Sequence, residues 1–403
     1  MPKNGISDGI GSSSYGTSAV AGEWYPEIEL PMPPVFMNEV RNDVKAGVYP
    51  EMIENVVYTP ADIKNAINNS VDNVVDIRLG ADITVPARSD GKITTTFIPA
   101  GKTVNINLAG HTYTCQAYAF YVTGGTLNLK GSGTIKTQMT GVTYCAINNT
   151  SGNVTIGDNV VIDTRVAEVP EGVENWMYGL VAFQGGSFTI KDNAIIHTDA
   201  ASALSTNGNS TSGPGNFYVK GNAKLISDNC PAIYHANMAD IVLTDNVVCG
   251  SIIARMGYIT LSGNAKVVNN GYVNGYDNLG EYIVSSNGPA CIGEGAIMSA
   301  VSTYAGSDGV NDLVLTIKDN ATVTCKDGVA IMLCECGNGY DQIARVNSNK
   351  NLSWKVYSHT ELEELATAAG KTLKPMTKVC DIEITMAGKK VYPALQEETP
   401  TEG

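Results

Sequence analysis

Charge is scarce in this chain. Of its 403 residues 16% are Asp, Glu, Lys or Arg and 7% are aromatic, with 3 Trp and 6 Phe. The 26 basic residues are outnumbered by 40 acidic ones, giving a net charge of -14, and no basic run occurs. Phosphate backbones demand clustered positive charge, so nucleic acid is excluded as a partner class. No stretch reaches the roughly 18 uninterrupted apolar residues of a membrane span, so membrane insertion is not expected. The N-terminus MPKNGISDGIGSSSYG has no apolar core behind Lys3, which argues against a secretory signal and for assembly in the cytoplasm.

Pairing among the cysteines is missing as well. The 9 cysteines, an odd count, stand at positions 115, 145, 230, 249, 291, 325, 334, 336 and 380 without the spacing of a zinc site, and read as buried free thiols. Cys334 and Cys336 of LCEC fall on one face of a strand, where a redox pair is the alternative. His111, His197, His235 and His359 are isolated in sequence. No cofactor or metal is expected.

What the chain does have is 42 Gly and abundant Asn and Thr, the composition of many short strands and tight turns. The hexapeptide TIKDNA occurs twice, and aligning on it exposes a degenerate register: VTIGDNVVIDT, FTIKDNAIIHT, FYVKGNAKLIS, IVLTDNVVCGS, ITLSGNAKVVN and LTIKDNATVTC. The corner asparagines are Asn159, Asn193, Asn222, Asn246, Asn264 and Asn320. Looser members place Gly110, Gly133 and Gly295 at the same point, which gives intervals of 18 to 34 residues and five coils between the two TIKDNA copies. Each unit reads as an alternating strand, a two-residue corner, a second alternating strand and a third short apolar run such as TYCAINN or PAIYHAN. Phe188 and Ile190 are expected inward, Lys191 and Lys318 in solvent. Such a unit cannot bury an apolar face alone, but stacking each on the last builds a continuous core. About nine coils at ~4.8 Å make a rod of roughly 40 Å.

This register and corner chemistry resembles the right-handed parallel β-helix, or pectate-lyase-like, superfamily over roughly residues 60 to 336. The resemblance implies an all-β, single-stranded helix with three strands per coil, and an asparagine ladder in which each corner amide bonds to the next. It also implies a helical lid, and YTPADIKNAINNS supplies one, with Thr59 as N-cap, Pro60 at the first helical position and Ile63, Ala66 and Ile67 on one face. At the far end HTELEELATAAGK reads as a second helix over 360–369, with Thr360 as N-cap, Glu363 three residues on and Gly370 as stop. The expected organisation is an extended arm over 1–58, the β-helix with its capping helix over 59–336, and a C-terminal cap with an acidic tail over 337–403. The arm is rich in Gly, Ser and Pro, a composition that stays disordered alone. Its Trp24, Tyr25, Ile28, Leu30, Val35 and Phe36 are apolar enough to anchor it on a partner.

Many β-helix proteins cleave polysaccharides, but the catalytic sets of the lyases and hydrolases are not found: no Asp-Asp dipeptide occurs, and the Gly110-His111 pair sits at a corner, where a structural role is expected. Two insertions, 165–179 and 269–282, follow second strands and emerge on the same side, four coils apart. They offer Trp176 and Tyr178, then Tyr272, Tyr276, Asp277 and Tyr282, as glycan or partner contacts. The layout of arm plus projecting rod resembles appendages of tailed bacteriophages, such as head fibres, capsid decorations and tail-spike-like proteins. It implies a non-enzymatic attachment protein on the virion surface, bound to other capsid or tail proteins through residues 1–58 and assembled as a homo-oligomer, with a trimer the model case. The alternatives are a polysaccharide-binding or -cleaving spike that takes a host surface glycan, and a bacterial surface adhesin.

Overall fold

The computed structural model describes residues 10–11, 14–15, 55–90, 92–138, 145–165, 177–182, 185–199, 201–206, 215–270, 295–299, 312–337, 342–368 and 378–393. The chain divides into two compact units, Met1–Glu54 and Asn55–Gly403. In the first, Ile10–Gly11 and Ser14–Tyr15 pair antiparallel. Trp24, Tyr25, Ile28, Leu30, Val35 and Phe36 lie outside the described residues.

In the second unit the alternation of apolar and polar residues decides the architecture. Strands that are neighbours in a sheet are, along most of its length, three apart in chain order, so the chain visits three sheets in turn. Val74–Leu79, Thr103–Asn107, Thr126–Lys130, Asn153–Ile156 and Ser187–Ile190 follow one another in parallel in the first sheet. Thr112–Cys115, Ser132–Thr137, Asn159–Asp163 and Ile195–Thr198 do so in the second. Phe120–Thr123, Cys145–Asn149, Tyr178–Ala182 and Leu204–Ser205 do so in the third. The unit is all-β and mostly parallel, a solenoid-like fold consistent with a parallel β-helix.

Because register partners stack, each inward position becomes a column. Val104, Leu127, Val154, Phe188 and Phe217 form one, every member buried, with the Phe188 and Phe217 rings stacked at 6.3 Å. Burying a side chain of this size contributes about 1.5–3 kcal/mol, and the continuous column is what no single repeat can supply.

The corners between the first and second sheets need a left-handed residue, and it is the one before each asparagine: Asp158, Asp192, Gly221, Asp245, Gly263 and Asp319 have φ between 52° and 71°. Gly and Asp tolerate this region better than most residues. The asparagines themselves form a continuous chain of amide hydrogen bonds. Asn193 Nδ2 donates to Asn159 Oδ1 at 3.0 Å, Asn222 to Asn193 at 3.0 Å, Asn246 to Asn222 at 3.2 Å, Asn264 to Asn246 at 3.0 Å and Asn320 to Asn264 at 3.4 Å. A second ladder runs beside it, since the Asp192, Asp245 and Asp319 carboxylates accept from the backbone N–H of Asp158, Gly221 and Gly263. Lys191 is half-buried rather than free in solvent, because its Nζ pairs with Asp192 Oδ2 at 2.7 Å.

Register pairing corrects the count of repeats. Asn264 and Asn320, 56 residues apart, are direct neighbours in the ladder. Gly295 is therefore not at a corner; it begins the third-sheet strand Gly295–Ser299, between Ile252–Ala254 and Val329–Cys334. All five residues of that strand are buried, and a strand covered on both faces loses the alternation that marks a register. Ser132, not Gly133, faces Asn159. Four ladder steps, not five, separate the two TIKDNA copies.

The ends also depart from the expected boundaries. Asn55–Val57 pairs with Val74–Leu79, so the first sheet begins inside the segment assigned to the arm. Helix Pro60–Asn69 follows, with a reciprocal capping box between Thr59 and Asp62 and with Ile63 and Ile67 fully buried. Beyond residue 336 parallel stacking continues: Gln342–Ser348 pairs with Leu313–Ile317, and Lys378–Met386 pairs with Gln342–Ser348. Helix His359–Ala368 starts earlier than expected. Ser358 Oγ accepts from the Glu361 N–H at 3.2 Å, and Glu361 Oε2 accepts from the Ser358 N–H at 3.0 Å, so Ser358 and Glu361 form the box assigned to Thr360 and Glu363. Tyr357 ends a strand as a buried residue, which leaves Ser358 as the first position free to turn.

These boundaries give a testable contrast. Removing residues 1–54 serves as the reference, because it leaves the strand Asn55–Val57 in place. Removing 1–58 strips a strand and buried Val57 and should cost about 2 kcal/mol or more, read by circular dichroism melting.

Candidate functional site

Both insertions leave the second sheet and re-enter at the third. The first runs between Asn159–Asp163 and Tyr178–Ala182, the second between Lys266–Asn269 and Gly295–Ser299. Their second-sheet strands are four steps apart in the sheet order, about 19 Å at ~4.8 Å per strand. Trp176, Tyr272, Tyr276, Asp277 and Tyr282 lie outside the described residues. Tyr178 is described, and it is not a loop residue. It opens a strand, opposite Cys145, half-buried, and burial pushes its hydroxyl above the ordinary tyrosine value while Arg255 nearby pulls the other way.

The root of each insertion is pinned by an inward polar residue at the end of the second-sheet strand. Thr164 Oγ1 donates to Met177 O at 3.1 Å, and Asn269 Nδ2 donates to Gly295 O at 2.8 Å. Thr198, Ser227 and Cys115 end their strands in the same way, each buried. Cys325, the register partner of Asn269, is partly buried rather than fully inside. The sequence signal was there, in the small polar residue closing IDT, IHT, LIS and VVN, but a fully buried Thr or Asn is legible only once its carbonyl partner is known. Replacing Thr164 by Val keeps the shape and removes the hydrogen bond. Unfolding stability should fall by about 1–2 kcal/mol in denaturant titration.

The middle of the third sheet, from Cys145–Asn149 to Val329–Cys334, differs from the other two sheets in being largely covered on both faces, whereas its first strands, Thr96–Pro99 and Phe120–Thr123, alternate. Ile147, Leu180, Leu204 and Ile233 face the core, yet in the alternate column Asn148, Val181, Ser205, Ile253, Met298 and Met332 are at most 6% exposed, and Tyr234, between Ser205 and Ile253, is half-buried. Beside that column Arg255, 3% exposed, sets its guanidinium over the Tyr234 ring at 5.4 Å, a desolvated cation–π contact.

Titratable side chains gather beside the first insertion. Arg165 forks onto both oxygens of Asp163 at 2.9 Å, and His197, the register partner of Asp163, approaches Asp228 Oδ1 through Nε2 at 2.8 Å. Burial raises the Asp163 carboxyl, but Arg165 outweighs it and holds the group below the usual carboxylate range. His111 bonds Asp82 at 3.3 Å at its corner. His235 is fully buried in the third sheet, where Nδ1 accepts from Thr206 Oγ1 at 3.0 Å and Nε2 donates to Ala239 O at 3.1 Å. Among the described residues no group of three or more His, Cys, Asp or Glu is placed to hold a metal ion, and no helix is long and apolar enough to cross a membrane. A scan of family models, a search of curated proteins and a search of solved structures each returned no match to the chain.

Proposed function

We propose that the chain is a right-handed parallel β-helix with three strands per coil and nine coils closed across all three sheets, and that it serves as a non-enzymatic structural or attachment protein. One observation carries this reading. The side chains with chemical potential are spent on joining neighbouring turns: the corner aspartates on backbone N–H groups, the asparagines on one another, His111 on Asp82, His235 on Thr206 and Ala239. Such a scaffold suits a structural appendage, with the unit Met1–Glu54 as its anchor to a larger assembly. Tailed-phage virions, which carry head fibres and capsid decorations, are the assembly that best fits this layout, and the virion surface is the location that follows.

The test is incorporation. The full chain is expected to co-purify with assembled particles, and a chain lacking residues 1–54 to fold, by its circular dichroism spectrum and melting temperature, yet stay unattached. Unchanged attachment of the truncated chain sinks the proposal. A second reading, a polysaccharide-binding or -cleaving protein, has one observation in its favour, the Asp163, His197 and Asp228 cluster at the root of an insertion. It requires glycan turnover that disappears in Asp163→Asn and Asp228→Asn.

A further inference from the structure

The outer face of the first sheet stands apart in its chemistry. Over eight successive strands, from Thr103–Asn107 to Leu313–Ile317, the first two outward positions of each strand carry Thr, Asn, Ser, Tyr or Val, with Asp240 the one charged residue, and the next alternate position sets Lys130, Lys191, Lys220 and Lys318 along one long edge. At the 16% of charged residues in the whole chain, about two or three charges would fall on these positions. The depletion is local. The outer face of the second sheet carries Lys136, Asp163, His197, Lys224 and Lys266.

Two exposed tyrosines stand on the fifth and seventh of these eight strands. Tyr218 is 45% exposed and stands beside Val242, its register partner; Tyr258, 39% exposed, stands between Asp240 and Val314. Charged groups bound the face at its ends. At one end is Asp76, bonded by Asn105 at 2.9 Å, and at the other is Arg345, bonded to Glu383 at 3.0 Å. A charge-poor, Tyr-bearing patch with charged groups along one edge and at its ends has the anatomy of a protein interface.

We infer that this face is the contact through which two copies of the chain associate, sheet against sheet, as a two-fold dimer. Three arguments select a second copy as the occupant. The chain carries a net charge of -14, so approach through its charged faces sets like charges against each other, whereas this face brings one carboxylate per copy. Eight strands at ~4.8 Å, about 15 Å wide, give about 570 Å² per copy, and the pair of copies buries about 1,100 Å², just above the ~1,000 Å² a specific interface needs. A single flat face that serves both partners is self-complementary and closes on two copies, while a trimer needs two different patches on each chain. The inference therefore replaces the trimer that the layout suggested. It stands whether or not the attachment role does.

Light scattering coupled to size exclusion tests it on the full chain. The expected mass at micromolar concentration is that of two chains. Tyr218→Lys with Tyr258→Lys should raise the dissociation constant at least tenfold and yield monomer, with circular dichroism unchanged. Asn216→Lys and Thr260→Lys, smaller changes on the same face, should also weaken the dimer if the tyrosine variant fails to fold. Thr324→Lys, on the second sheet, should leave it intact. A wild-type monomer or trimer overturns the inference. So does a dimer that ignores the first-sheet lysines, or one that Thr324→Lys weakens equally.

Discussion

Gly257→Ala is expected to cost the solenoid about 4 kcal/mol or more, the range in which a single substitution marks a specific steric cause. Gly257 opens the strand Gly257–Leu261 with φ 94°, a backbone angle that costs a side-chain-bearing residue about 1–2 kcal/mol. An added Cβ would also lie 2.3 Å from Asn237 O and 2.3 Å from His235 Nε2, in a region with no exposed surface to relax into. Gly101 separates the two contributions. It has φ 80°, but nothing lies within 4 Å of its would-be Cβ, so Gly101→Ala should cost about 1–2 kcal/mol. Chemical denaturation of both variants checks the pair. Equal losses would mean that the backbone angle alone matters and that the packing around His235 yields.

The same histidine sets the second large effect. Full burial lowers the His235 imidazole to about 4, although its bond to Ala239 O works in the opposite direction. The carbonyl of Ala239 can only accept, so Nε2 carries the proton and Nδ1 receives the Thr206 hydroxyl. The unfolded chain binds a proton at its ordinary pKa of about 6.5, and the folded chain does not until about 4. Between these values the unfolded state holds more protons, so stability falls as pH drops from about 6.5 to about 4. The loss is about 3 kcal/mol over that window. His235→Gln, which keeps an amide donor for Ala239 O and cannot titrate, should flatten it. Parallel pH-stability curves for the two proteins would show that His235 is solvated or charged in the native state.

Both effects come from one place, the crossing from the third sheet back to the first, and that place was the least legible in the sequence. TIKDNA and its relatives announce themselves because an exposed corner repeats its chemistry: Asp or Gly at positive φ, then Asn, with alternating strands on either side. Three strands of the third sheet, CAINN, IIA and GAIMS, are buried on both faces, and burial erases the period-two pattern that assigns a face. Gly295 therefore reads in sequence as a corner residue, and one repeat reads as two. The cap of the second helix is ambiguous in sequence for a related reason. SHTELEE offers two overlapping Ser/Thr-x-x-Glu boxes, Ser358 with Glu361 and Thr360 with Glu363, and the strand end at Tyr357 chooses between them.

The sequence by itself determined the repeating unit, the turn residues, the capping helix Pro60–Asn69 and the shortage of charge, because each is a local preference written within a few residues. The tertiary structure decided which strands are neighbours across intervals as long as 56 residues, where the stack begins and ends, and that His235 and Thr164 are buried polar groups with carbonyl partners. It also decided that the uncharged positions of eight separate strands lie on one face. These are contacts between residues far apart in the chain, and their energies exist only once the turns are stacked.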